Sequence, residues 1–439
     1  MNQESKTNKI VILTGLPFRK QGNQSLMRFV KMLLKHSIDI TMFSAGSDTR
    51  GEKVIDSELF HLYKITSLEI EFTNFLNKVV LKISKKRVKS RNYFEQIKSE
   101  DVIPPYGSYS IGNMVNKWVK FLFYLFDNVA LFFNILFFQS GRVKMACVIV
   151  GYEAGYTPCG RWIAKIFRKK YINKYQGTIL VATNRNKSLA LKYFPQNYFS
   201  INKADLCLMV QDGTDGKYYA EQKRNRNIFN EPHGVLEYEI PAKYGNVLDK
   251  LKDKGKFILF NNASGSTWKR VDRVVRGMMK LDKNILNKVV LLTTYHAANV
   301  DDLKEYVKKN SLQDNVIFLE GVDNTESNYL LQNSDVVVMT NDFSNLGNPI
   351  LEAIYYKVPL ISIDDGSLDG FVTNGKDALL ISLDEKFDEN MAKAIERYYK
   401  DKSFYNKVRK TLNKSGAVRD LQTQQLREFK VIEKILNEC

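Results

Sequence analysis

The sequence predicts an α/β protein built from two Rossmann-like domains in tandem. Three observations carry that prediction. The chain has 439 residues, too many for one compact core and about right for two domains of roughly 200 residues each. Short apolar runs of strand type alternate with amphipathic stretches at helical spacing. That alternation dissolves over residues 236–254 (LEYEIPAKYGNVLDKLKDK) and then starts afresh.

The first strand is expected at Ile10–Thr14 (IVILT), followed by Gly15, Leu16 and Pro17 and then by Gly22 and Asn23. Ser25–Lys35 places Leu26, Phe29, Val30, Leu33 and Leu34 on one helical face, and Ile38–Ser44 reads as the next strand. Further strands are expected at Ala146–Val150, Tyr171–Tyr175 and Leu206–Val210, with a helix over Thr157–Lys169. This is the rhythm of a doubly wound sheet. After the linker the strands are Phe257–Phe260, Val289–Thr293, Val316–Leu319, Val336–Met339 and Leu360–Ile363. Helices are expected at Asp272–Leu281, at Val300–Lys309 and from about Asn348. The domains are therefore drawn as 1–235 and 256–415, with a linker at 236–255. A last helix within 416–439 is free to cross back to the first domain.

The net charge is +18, which suits anionic partners. Residues 78–92 (KVVLKISKKRVKSRN) are basic with no acid among them. Nucleic acid is disfavoured, because there is no recognition helix, zinc pattern or aromatic RNA-binding motif. Cys147, Cys159, Cys207 and Cys439 have neither metal nor redox spacing, as expected in a reducing compartment. The polar start MNQESKTNK does not read as a signal peptide, so the expected location is cytoplasmic. Residues 117–138 (KWVKFLFYLFDNVALFFNILFF) are apolar, yet Lys120, Asp127 and Asn134 recur every seven residues beside Asn116 and Asn128. Three readings stay open: a buried helix of the α/β domain, an interfacial helix facing lipid, and a membrane span. The span is disfavoured, since a charge at the bilayer centre costs roughly 3 kcal/mol on insertion scales.

The strongest chemical signal is Asn341–Pro359 (NDFSNLGNPILEAIYYKVP). A strand ends in a polar loop containing Gly347, and a helix begins that carries Glu352. Unpaired N–H groups at such a helix start attract anions, and a Glu there can accept hydrogen bonds from a ribose diol. A structural reading stands beside it, in which Asn348 caps the helix and Glu352 complements its dipole. A second signal is Asn262–Arg273 (NASGSTWKRVDR), where Lys269 can neutralise a leaving diphosphate as a point charge. Gly22 and Asn23, after the first strand, let the backbone approach a phosphate or an acceptor closely. Glu153 is the ionisable group in GYEAG after the Ala146–Val150 strand, and a helix-capping or salt-bridged carboxylate is at least as good a reading of it as one in contact with a ligand.

These segments resemble the retaining glycosyltransferases of family four, the glycosyl transferases group one family. Glu352-Ala353-Ile354 and Pro359-Leu360-Ile361 match the second half of that family's donor signature, and Trp268–Asp272 matches its Trp-Lys-Arg-Val-Asp. Asn315–Val322 (NVIFLEGV) resembles the turn whose backbone reads the nucleobase, and Phe229–Val235 (FNEPHGV) the turn before the linker. The resemblance implies the GT-B fold, with two Rossmann-like domains facing a central cleft. It implies a donor site of Gly22, Asn23, Ser264, Gly265, Lys269, Gly321, Val322, Ser344, Asn345, Leu346, Gly347, Asn348 and Glu352, with Lys269, Glu352 and Glu153 as catalytic candidates. Two departures stand out: Ser344 replaces the first Glu of the signature, and Ser264 replaces its diphosphate-binding Arg. Arg270 and Arg273 are candidates to compensate.

The function implied is transfer of a hexose from a nucleotide-diphosphate sugar to a hydroxyl of a lipid-linked or surface-glycan acceptor. Retention follows by resemblance. No metal and no cofactor beyond the nucleotide-sugar co-substrate are expected, with Asp364-Asp365 in a post-strand loop rather than a metal motif. Peripheral contact with an anionic membrane is expected from the basic run and the apolar helix. The alternatives are a catalytically weak paralogue acting as partner or scaffold, and a sugar-nucleotide epimerase of the same fold.

Overall fold

The computed structural model describes residues 8–18, 24–45, 55–75, 93–102, 111–237, 245–263, 265–297 and 299–439. Gly22, Asn23, Ser264 and the basic run 78–92 lie outside these residues. The chain forms two units. One holds Met1–Arg87, Ser108–Glu231 and Gln425–Cys439, and the other Val88–Gly107 and Pro232–Gln424.

The first unit is built on a parallel sheet of β1 (Lys9–Thr14), β2 (Asp39–Ala45), β3 (Phe60–Ile65), β4 (Val148–Tyr152), β5 (Lys170–Tyr175), β6 (Leu206–Val210) and β7 (Ile228–Glu231). Their order is β3-β2-β1-β4-β5-β6-β7. The inner strands are continuous apolar runs because both faces are covered; Ile10, Val11, Ile12 and Leu13 are all buried. The helix α1 (Gln24–Lys35) buries Leu26, Phe29, Val30 and Leu33 on the face foreseen. The edge strands β3 and β7 were not foreseen. Both are only half-buried, so neither carries an apolar run.

The long helix α2 (Ile111–Phe138) buries only one face, through Phe121, Tyr124, Asp127, Asn128, Leu131 and Ile135. Two of its buried polar side chains, Asp127 and Asn128, are engaged in structure, whereas the buried Tyr124 hydroxyl has no hydrogen-bond partner among the described residues. Asp127 accepts from Ser67 Oγ (2.8 Å) and from the amides of Leu68 (2.9 Å) and Glu69 (3.1 Å), thereby capping the helical residues 68–75. Asn128 donates to the Gly155 carbonyl (3.0 Å) and accepts from the Cys159 amide (3.0 Å) at the start of α3 (Thr157–Ile166). Asn134 is exposed, so the seven-residue polar stripe is not one continuous face.

The second unit carries a parallel sheet of β8 (Phe257–Asn261), β9 (Val289–Thr293), β10 (Val316–Phe318), β11 (Val336–Val338), β12 (Leu360–Ile363) and β13 (Leu379–Ile381). The order is β10-β9-β8-β11-β12-β13. Within the range expected as linker, Gly245–Asp253 is a helix with Leu248 buried against the core. Gly234 lies so close to the chain at residues 420–424 that a Cβ would stand 2.6 Å from Leu421 Cα. There Val235 donates to Arg419 and accepts from Leu421, at the start of the last helix.

One departure from the expected domains has a clear cause. Residues 93–102, drawn with the first domain, pack in the second unit. They follow a stretch with no strong periodicity, so the sequence offers nothing to place them. They are gripped by three arginines of α4 (Val271–Met279) and its cap. Arg270 donates to the carbonyls of Lys98 (2.7 Å) and Asp101. Arg273 donates to Ser99 (2.6 Å) and Asp101 (3.0 Å), and Arg276 to Ile97 (2.7 Å).

Candidate functional site

In the second unit the strand order reverses between β8 and β11, and α/β sheets bind ligands at such a switch point. The two loops singled out in the sequence are those that follow β8 and β11, so the topology makes them neighbours. They are bonded together: the Asp342 amide donates to the Trp268 carbonyl (2.9 Å), and Thr340 Oγ1 donates to the Arg270 carbonyl (2.9 Å). Trp268 and Phe343 stack with centroids 5.1 Å apart. At the strand ends, buried Asn261 bridges both neighbours, donating to Val338 O (2.7 Å) and accepting from Thr293 Oγ1 (3.2 Å).

Lys269 closes a short 3-10 turn, Thr267–Lys269. Its ammonium lies 4.2 Å from the Trp268 ring centroid, and among the described residues no carboxylate pairs with it. Burial lowers its pKa to about 8. A desolvated cation with no carboxylate partner among the described residues has the chemistry to receive an anion.

Arg270 and Arg273 do not supply the missing cation. They are 1% and 0% exposed. Arg270 pairs with Asp272 (3.0 Å) and Asp342 (3.3 Å), and Arg273 with Asp342 (2.8 Å) and the Thr340 carbonyl (2.7 Å). The expectation that they compensate for Ser264 is corrected: their charge is spent inside the domain, holding residues 97–101 and the β11 loop. Buried charges need this pairing, and the sequence motif alone does not distinguish a paired arginine from a free one.

The β11 loop is shaped by Asn345, which is fully buried. Its side chain accepts from the Asn341 amide (3.0 Å) and donates to the Asn341 carbonyl (3.0 Å) and to Asp365 Oδ2 (2.7 Å). Ser344 is left-handed, at φ 60°. Helix α5 (Asn348–Tyr356) starts at Gly347, which is the N-cap with no side-chain cap bond, and Pro349 follows in the first turn. Asn348 is thus the first helical residue rather than the cap. Leu346 is buried behind the loop, Asn348 is exposed, and Glu352 is half-buried one turn into the helix. Gly265 is exposed, and a Cβ there would lie 3.2 Å from His296 Nε2, so the loops after β8 and β9 also touch. Gly321, at φ 65°, and Val322 sit after β10, two strands from the switch point.

The first unit has its own switch point, between β1 and β4. There Gly15 and Gly155 meet backbone to backbone; a Cβ on Gly155 would stand 2.5 Å from Gly15 Cα. The space beside them is a pocket of about 240 Å³, lined among others by Glu69, Tyr124, Asp127, Glu153, Tyr156 and Gln196. Glu153 is held with φ 59°, its amide donating to Lys174 O (2.7 Å) and its carboxylate accepting the Gln176 amide (2.6 Å). Burial raises its pKa to about 7, against the opposing pull of that amide and of Lys174; Asp212 raises it further. Glu69 is also raised by burial, opposed chiefly by Lys120. Of this pocket the sequence marked Gly15, Glu153 and its neighbours. Glu69, Tyr124 and Gln196 come from segments with no motif, and only the fold brings them in.

Residues 248–416 match the family described as glycosyl transferases group 1. The matched span covers β8 to β13 and the loops with Lys269, Ser344–Asn348 and Glu352. No curated protein matches the chain. Among solved structures it is similar to sucrose-phosphate synthase from Thermosynechococcus elongatus, at 14% identity and a TM-score of 0.63, over 98% of this chain and 100% of that one. It is also similar to Alr3699/HepE from Anabaena in complex with UDP and glucose, at 13% identity and TM-score 0.62, over 97% and 100%. A third is the trehalose-6-phosphate structure from E. coli bound with UDP-2-fluoro glucose, at 11% and 0.62, over 98% and 99%. At these identities the likeness is one of fold, and the fold is GT-B.

Proposed function

We propose that this glycosyltransferase moves a hexose from a nucleotide-diphosphate sugar to a hydroxyl of a lipid-linked or surface-glycan acceptor, with retention and without an obligatory metal. The observation that carries this reading is the bonded pair of loops at the second switch point. One loop presents Lys269, a desolvated cation with no carboxylate partner among the described residues. The other presents the α5 start, whose N-cap residue Gly347 makes no side-chain cap bond. In the proposed reaction the sugar–diphosphate bond breaks and its electron pair goes to the diphosphate. Lys269 and the amides around Leu346, Gly347 and Asn348 stabilise that charge. Glu352 accepts from the ribose hydroxyls. In the first domain, Glu153 takes a hydrogen bond or proton from the acceptor hydroxyl, at a pKa suited to neutral solution. The UDP in the HepE structure makes uridine nucleotides the first donors to try. The reading also holds the chain to be cytoplasmic, reaching the inner face of the membrane as a peripheral protein.

A panel of nucleotide sugars with lipid-linked acceptors tests the reading, with the product's anomeric configuration read by NMR and a chelator arm alongside. Turnover with retention that survives chelation is expected. Inversion, or a requirement for metal, would overturn those parts of the proposal. A second reading is favoured by Ser344 and Ser264 standing where the family has Glu and Arg, and by the commitment of Arg270 and Arg273 to internal pairs. On that reading the domain binds nucleotide and turns over little. Stabilisation by a nucleoside diphosphate without transfer to any acceptor would select it.

A further inference from the structure

Helix α2 has two faces of opposite character, and the apolar one points outward. Leu122, Phe126, Val129, Phe133 and Phe137 are 62%, 59%, 42%, 48% and 68% exposed. Their spacing of four, three, four and four residues keeps them within one stripe of a helix. The stripe widens onto α3, where exposed Trp162 packs its ring edge-on against Phe132 at 6.0 Å. A monomer rarely leaves so many large apolar side chains together in water.

The rim decides what covers them. Arg142 and Lys144 are exposed at the C-terminal end of the stripe, and Arg161 and Lys165 are exposed beside Trp162. Between residues 111 and 170 there are only two acids, Asp127 and Glu153. Asp127 is buried as a cap, and Glu153 lines the pocket. The part of this surface built from residues 111–170 is thus apolar at its centre and cationic at its edge, while exposed Glu71 borders it on the side where Phe72 packs against Phe123; the net character is complementary to a sheet of apolar chains under anionic headgroups.

We propose that this face of α2 and α3 docks the protein on an anionic lipid bilayer, with α2 lying in the interface. The helix is long and apolar enough to cross a membrane by length and composition. It does not cross, because Asp127 and Asn128 are tied to Ser67, Leu68, Glu69, Gly155 and Cys159 on its other face. A span would break all of these bonds and strand the two side chains in hydrocarbon. The same helix lines the first-domain pocket through Tyr124 and Asp127, so docking brings a pocket beside the lipid surface. The inference rests on the proposed peripheral membrane contact and is independent of the donor chemistry.

The test is co-sedimentation of the full chain with vesicles of phosphatidylglycerol and phosphatidylcholine, against vesicles of phosphatidylcholine alone, without donor or acceptor. Binding to the anionic vesicles that weakens with salt is expected. Phe126→Ser, Phe133→Ser and Phe137→Ser should each weaken it about tenfold, from the area a phenyl ring buries. Arg161→Glu with Lys165→Glu should abolish the preference for anionic lipid. Thermal stabilisation by UDP shows that each variant is folded; if that ligand fails, far-UV circular dichroism serves. Three outcomes overturn the proposal: no binding to anionic vesicles at low salt, binding that the three serine variants leave unchanged, or a wild-type dimer that the serine variants convert to monomer. The last would assign the face to a second copy of the chain.

Discussion

Glu153→Gln separates the cost of a buried charge from its use. The carboxyl titrates near 7 in the folded chain, against an ordinary value of 4.5. The folded state therefore binds more protons than the unfolded one between those values, and stability falls as pH rises through 7. Once fully ionised, Glu153 costs up to about 3 kcal/mol, from the shift at 1.36 kcal/mol per unit. Glutamine keeps the shape and the acceptor for the Gln176 amide, and the extra strength that the charge gives that hydrogen bond is already contained in the net shift. The variant should therefore be more stable than wild type by about 2–3 kcal/mol at pH 8 and nearly equal at pH 5. The assay is the difference in urea midpoint between variant and wild type at the two pH values. A variant destabilised equally at both would refute the argument, since it would mean that Glu153 is paid back in full by partners in the fold. If Glu153 also serves the acceptor, the stabler variant should transfer sugar about 10²-fold more slowly.

Lys269→Ala should lower kcat/KM by about 10²–10³-fold, the usual effect of removing one group that stabilises developing charge, as steady-state kinetics would show. Glu352→Gln should raise the donor KM by roughly tenfold and leave kcat nearer to wild type, because a charged acceptor of hydrogen bonds is worth about 1.5–3 kcal/mol. Asp342→Ala should destabilise the second domain by about 3–5 kcal/mol, since it leaves Arg270 and Arg273 short of a buried partner, and thermal unfolding reads this directly. Ser344→Glu and Ser264→Arg restore the family's residues; higher turnover would mark a decayed donor pocket, and loss of nucleotide binding an altered one.

The fold was legible where strands are buried on both sides, because β1, β4, β6, β8, β9 and β12 are runs of apolar residues. It was illegible at β3 and β7, edge strands whose half-wet faces break the run, and at β13, where the apolar run is only three residues long. The two loops of the candidate site were legible through their motifs, Trp268–Asp272 and Glu352–Ile354, because a polar, glycine-containing strand end before a helix reads equally as an ordinary helix start. The roles of the arginines after Lys269 were not. Trp268–Arg273 reads as a cationic motif, yet two of its three arginines and lysines are turned inward by Asp272 and Asp342, the latter some seventy residues away. The apolar helix was legible as apolar, but its buried polar face depends on Ser67 and Cys159, which no periodicity links to it.

On the proposed reading, Lys269 and the α5 start receive a nucleoside diphosphate. Isothermal titration of UDP, and of the other nucleoside diphosphates, into wild type and Lys269→Ala tests it most directly. Binding by wild type should tighten as pH falls below about 8, where Lys269 is charged, and should weaken at least tenfold in the variant. Equal affinity in the two proteins, or no heat from any nucleoside diphosphate, would contradict it.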